Sequence, residues 1–115
     1  MVSSIPGNYI KLPTCKGIEL VNINTLVRVE AVSNYCKLYF SNGKTLVVAK
    51  ILRWFEECLC NTSFIRLHRG HIVNKQFISA YISTEGAQVK LFNGESIGVS
   101  RRRRSQFLQS WTCAN

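Results

Sequence analysis

Aspartate is missing from this 115-residue chain, and its acids stop at six glutamates. That excludes an Asp phosphoacceptor, an Asp-based catalytic triad and the usual aspartate-rich magnesium site. No apolar run approaches the roughly 20 residues a membrane-spanning helix needs, and no secretory signal opens the sequence. The five cysteines (Cys15, Cys36, Cys58, Cys60, Cys113) are odd in number and contain no C-x-x-C pair. Reduced thiols in a cytoplasmic protein are the expectation. Cys58 and Cys60 form only C-x-C, whose side chains diverge on a helix. Even with His68 and His71 nearby, no metal site and no other cofactor is expected.

Positive charge is what the chain has in surplus. Fifteen Lys and Arg against six acids give a net charge of +9 and a pI near 9.7. An anionic partner follows, nucleic acid or an acidic lipid surface, with a merely solvated basic face as the plain alternative. The lipid option lacks an amphipathic basic helix with a broad apolar face, so no membrane partner is expected. A composition of 46% hydrophobic and 18% charged residues is that of a folded domain. Residues 1–7, ending in the breaker Pro6-Gly7, read as a loose N-terminus, and residues 8–115 as one domain.

The dominant period is two. Val27, Val29 and Ala31 alternate with Arg28 and Glu30, and Cys36, Leu38 and Phe40 with Lys37, Tyr39 and Ser41. Asn42-Gly43 then turns the chain into Lys44 to Val48, since both turn residues tolerate positive φ. The scheme returns with Ile78, Ala80 and Ile82, a turn at Glu85-Gly86, then Ala87, Val89 and Leu91, and Asn93-Gly94 before Glu95 to Val99. Antiparallel sheet is predicted for both regions. No internal repeat is apparent. Lys50 to Cys60 places Ile51, Leu52, Phe55, Cys58 and Leu59 along one helical stripe.

Two clusters of cations stand out. Ser100, a favoured N-cap, precedes Arg101 to Arg104, and Phe107, Leu108 and Trp111 follow at helical spacing. Cations in a first helical turn oppose the macrodipole at about 0.3–1 kcal/mol each, which makes sense opposite a polyanion. Four consecutive residues span a full turn, so two or three of them face one partner, with Arg104 lying back along the body beside Leu108. The second cluster runs from Phe64 to Lys75 and holds Arg66, His68, Arg69, His71 and Lys75 with no acid among them. Ile65, Leu67 and Ile72 read as inward, leaving Arg66 and His68 outward and unneutralised. Gly70 allows a sharp bend or a close approach. Outward cations of this kind suit phosphate contact, and arginine can also read guanine.

The run Arg66-Leu67-His68-Arg69-Gly70-His71-Ile72-Val73-Asn74, with Phe92-Asn93-Gly94 and Val99-Ser100-Arg101-Arg102, resembles the LytTR DNA-binding domain of bacterial response regulators. The likeness extends to Val29-Glu30-Ala31 and to the helix over Leu52 to Leu59, and covers nearly all of residues 8 to 111. It implies a mainly β domain of stacked antiparallel sheets, with one central helix and a short C-terminal helix. It also implies sequence-specific binding of double-stranded DNA by loops entering successive major grooves, in a transcriptional regulator rather than an enzyme. By the same resemblance the first loop is Val32-Ser33-Asn34-Tyr35, the middle element centres on Arg66 to Arg69, and the last is Ser100-Arg101. Arg101 would read a guanine edge, and Asn34 or Tyr35 a base in the neighbouring groove. Arg69 would lie at the minor groove between, with phosphates held by Arg66, His68, Arg102 and Lys37. Asn74 would bond backbone at the turn that follows it. A second copy on direct-repeat sites and a separate sensor or receiver chain are the further partners implied.

Two other functions compete. An RNA or single-strand binder on a small β-barrel would stack bases on outward aromatics, for which Tyr35 and Tyr39 are candidates. A nuclease would have to rely on His68 and His71 as an acid/base pair.

Overall fold

The computed structural model describes residues 8–112; the N-terminal segment 1–7 and Cys113 lie outside the described residues. Ten strands and two helices follow one another as β1 (Tyr9–Thr14), β2 (Gly17–Asn22), β3 (Leu26–Val32), β4 (Tyr35–Phe40), β5 (Thr45–Val48), α1 (Leu52–Cys58), β6 (Phe64–His68), β7 (His71–Asn74), β8 (Ile78–Ile82), β9 (Gln88–Leu91), β10 (Ser96–Gly98) and α2 (Arg101–Thr112). They form three antiparallel sheets: the hairpin β1-β2, a five-stranded sheet ordered β5-β4-β3-β7-β6, and a three-stranded sheet ordered β10-β9-β8. No barrel closes. The mainly β, stacked-sheet architecture is the one expected.

The five-stranded sheet is the middle layer, and both of its faces are covered. On one side Val29, Leu38, Cys36 and Ile72 pack with Leu12 and Val21 of the first hairpin and Leu52, Phe55 and Leu59 of α1's stripe. On the other, Leu67 and Val73 pack with Val89, Leu91 and Ile97 of the small sheet and with Phe107 of α2. Phe107 is fully buried, and its ring stacks on Trp111 at 5.6 Å.

Three expectations need correction here. Val27 does not share a face with Val29: a bulge between Leu26 and Arg28 shifts the register and sends Val27 into the second core. The stripe of α1 is narrower than its sequence pattern. Ile51 is extended at the N-cap and exposed, and Cys58 points outward. The third concerns repetition. A hairpin, a 3₁₀ turn, a three-strand meander and a helix occur in that order twice. The two turns, Ile23–Thr25 and Lys75–Phe77, are each capped by an asparagine of nearly identical backbone angles, Asn22 (φ −79°, ψ 113°) and Asn74 (φ −78°, ψ 117°). Each meander carries an Asn-Gly tip closed by matching bonds, Phe40 N–H to Lys44 O and Leu91 N–H to Glu95 O. Side-chain divergence hid the repeat; backbone bonding exposes it.

Two polar constructions join the halves. Asn74, fully buried, accepts from Gln76 N–H at 3.0 Å and from the Ser63 hydroxyl at 2.7 Å, and donates to the Leu26 carbonyl at 3.0 Å. It does bond backbone at the turn that follows, as expected, and also backbone in the first half. Arg28, only 7% exposed rather than outward, makes a two-pronged bridge to Glu95 at 3.1 and 3.2 Å. Its guanidinium lies 3.8 Å from the centre of the Tyr39 ring, whose hydroxyl donates to Glu30. The hydrogen bonds from Arg28 hold the Glu95 carboxyl below the usual glutamate range.

Asn74→Ala leaves several buried groups unpartnered and is expected to cost about 1–3 kcal/mol in urea unfolding. For Glu95 the folded value lies below the unfolded one, so its stabilisation is present above the ordinary glutamate range and lost as the pH falls through the lowered value. Glu95→Gln should therefore melt lower than the parent at pH 7, with the gap closing on acidification. A gap that persists in acid would remove the ion pair as its cause.

Candidate nucleic-acid interface

Antiparallel topology decides which turns meet. Strand β4 runs from Tyr35 to Phe40, so the β3–β4 turn and the Asn42-Gly43 tip lie at opposite ends of the middle sheet. At the β3–β4 end, β7 pairs with β3 (Glu30 opposite His71), which brings the β6–β7 turn alongside the first turn. Ala31 N–H donates to Gly70 O at 2.9 Å and links the two turns directly. The β10–α2 junction joins them through Ser100 N–H, which donates to Leu67 O at 2.8 Å. Three segments distant in sequence thus share one edge.

The first turn is two residues long, between paired Val32 and Tyr35. Ser33 takes φ +57°, a left-handed conformation uncommon for serine, and Ser33, Asn34 and Tyr35 are all exposed. Lys37 stands two residues inside this turn, opposite Glu30 and 5.3 Å from the Tyr39 ring, on the face of the sheet rather than at its tip. Tyr39 is occupied on its ring and at its hydroxyl, which leaves Tyr35 as the freely exposed one of the two candidate stacking aromatics.

The second turn places Arg69 at its tip, exposed, with His68 and His71 half-buried behind it. His68 Nδ1 accepts from Gly70 N–H at 3.2 Å. Gly70 needs no left-handed angle, and an added Cβ would meet only His68 Nδ1 at 3.6 Å. The bend therefore does not demand glycine. Burial holds the His71 imidazole below its ordinary value.

Arg66 is the largest departure from the sequence reading. It is not an unneutralised outward cation: its side chain is 16% exposed and bridges to Glu56 of α1 at 2.9 Å. It also donates to the carbonyls of His68 (3.2 Å) and Arg69 (2.7 Å). The acid was invisible locally because it stands ten residues upstream on a helix. Glu56 also lies 3.8 Å from Arg103 of α2, so one carboxylate ties the second turn to the helix start.

In α2 the first helical bond runs from Arg103 N–H to Ser100 O, and Ser100 is half-buried. Arg101, Arg102 and Arg104 are exposed, whereas Arg103 is drawn toward the body. Arg104 was expected to lie back instead. The anchor explains the difference: Phe107, not Leu108, is the fully buried residue, and position 103 shares its face. Among the described residues no group of three or more His, Cys, Asp or Glu could hold a metal, and no helix is long and apolar enough to cross a membrane.

The family model "LytTr DNA-binding domain" matches residues 16–112. Among solved structures the chain is similar to the LytTr DNA-binding domain of a putative methyl-accepting/DNA response regulator from Bacillus cereus. The two share 28% identity with a TM-score of 0.75, over 90% of this chain and 95% of that one. None of the curated proteins matches the sequence.

If Glu56 secures the edge, Glu56→Gln should cost about 1 kcal/mol and speed amide exchange at Gly70 and Ser100. Exchange rates equal to those of the parent would mean that the bridge does not hold these turns.

Proposed function

The chain belongs to the LytTR DNA-binding domain family, and on that premise we propose that it binds double-stranded DNA sequence-specifically through the three-turn edge, as a bacterial transcriptional regulator. One observation carries the reading. Exposed Arg69, Arg101 and Arg102 gather at one end, while two arginines of the sheet faces, Arg28 and Arg66, are bound to acids.

Spacing supports it. Neighbouring strands lie about 4.8 Å apart, so the centres of the first two turns are separated by about 10 Å, with the α2 junction beyond β6. The minor groove is about 6 Å wide. With the first turn and the α2 junction in successive major grooves, Arg69 lies over the minor groove between them. Ser33, Asn34 and Tyr35 then face base edges in one major groove and Arg101 in the other, where its fork suits guanine N7 and O6. Arg102, with Ser100 and His68 beside it, meets phosphates; Lys37, set back on the sheet face, reaches only the flank. Arg66 serves by position: two of its nitrogens hold the turn that presents Arg69 and the third is anchored on Glu56, so its own contact with DNA is secondary.

A single-strand binder would need several free aromatics in a row, and Tyr39 is engaged. Binding to direct repeats by two copies, and control by a sensor or receiver chain, fit the same edge-on mode of docking.

Arg101→Ala is expected to cost about 1–3 kcal/mol on a duplex selected from a random library and to relax preference at one base pair. Equal losses on selected and scrambled duplexes would reassign Arg101 to the phosphates.

A further inference from the structure

The duplicated architecture marks a fourth position on this edge. Aligning the two Asn-Gly tips sets Lys44-Thr45-Leu46-Val47-Val48-Ala49-Lys50 against Glu95-Ser96-Ile97-Gly98-Val99-Ser100-Arg101. In both, the chain leaves the tip as the last strand of a meander, buries a valine (Val48 or Val99), and passes into a helix. Counted from the tip, Lys50 stands in the first half where Arg101 stands in the second, although Lys50 precedes the N-cap of α1 and Arg101 opens α2.

Its placement is set by pairing. Val48 is opposite Cys36, one residue past Tyr35, so β5 delivers Ala49 and Lys50 to the end of the sheet that carries the first turn. There a shallow groove of about 410 Å³ is lined by Asn34, Lys50, Arg53, Trp54 and Glu57. The Lys50 ammonium lies 5.3 Å from the centre of the Trp54 ring, which orders it. Arg53 is 78% exposed, and its one acidic neighbour, Glu57, is 3.7 Å away and itself 70% exposed. A pair that open to water contributes little and is readily exchanged for another anion.

We propose that Lys50 and Arg53 form a phosphate-binding subsite that continues the footprint beyond the first turn, on the side away from α2. This rests on the duplex-binding reading and deepens it. The subsite takes the phosphodiester backbone and reads no base. Its centre lies about one and a half strand spacings, roughly 7 Å, from the first turn, so it meets the backbone bordering the groove that this turn enters. The chain then touches DNA through four elements in the order α1 flank, first turn, second turn and α2 junction.

The test uses the full chain with the library-selected duplex and a random duplex over a range of salt. Replacing both Lys50 and Arg53 by Gln should lower the steepness of log K against log salt by about two units. The fold-loss should be equal on the two duplexes. A hydroxyl-radical footprint should shorten only at the end occupied by the first turn. The charge-preserving pair Lys50→Arg and Arg53→Lys should restore both slope and footprint, which separates lost charge from damage to the fold. An unchanged slope and footprint in the Gln variant, with the parent still binding the selected duplex, overturns the subsite and leaves the functional reading intact. A parent that binds no duplex overturns both.

Discussion

A sheet covered on both faces can bury a charge there only beside a partner. Here the middle sheet of five strands is enclosed by the first hairpin and α1 on one side and by the small sheet and α2 on the other. A cation buried on either face must find an acid, because an unpaired buried charge is far costlier than a paired one. Arg28 shows the rule: it is buried, gripped by Glu95 and covered by Tyr39. The exposed arginines stand where strands turn and helices begin: Arg69 at the β6–β7 turn, Arg53 in the first turn of α1, and Arg101, Arg102 and Arg104 in that of α2. The enclosed sheet thus both builds the core and concentrates charge at its rim.

One scarce glutamate works at that rim. Glu56 reaches from α1 to Arg66 and to Arg103, so a helix that packs on one face of the sheet holds a turn and the start of a helix on the other. Arg66 spends its donors on the carbonyls of His68 and Arg69, which fixes the backbone from which Arg69 projects. The arrangement separates two kinds of cation, those that shape the edge and those left free to meet an anion. Pre-setting the turn lowers the ordering cost of binding, which otherwise subtracts from affinity.

The duplication explains why the free groups are so distributed. Each half ends a meander by running from an Asn-Gly tip to a helix at the opposite end. Two such halves, joined through Asn74 and the β3–β7 pairing, place both strand-to-helix junctions at one end and both Asn-Gly tips at the other. A cation at one junction therefore has a counterpart at the other without any local sequence motif to announce it.

Period-two alternation and the Asn-Gly and Glu85-Gly86 turns were enough to read the meanders, because both depend on neighbours in sequence. Composition alone marked an anionic partner, and the Arg66–Asn74 run together with the Ser100-Arg101 junction pointed to the LytTR family. The first hairpin, the fate of Arg28 and Arg66, and the choice of Arg103 over Arg104 were not legible. Each turns on a contact between residues far apart in sequence or on which apolar side chain wins the core. Local pattern determined which segments form strands and where they reverse, since backbone preference and side-chain period act over a few residues. Only the tertiary structure decided which cations are free, because that depends on which acids the folded chain brings within reach.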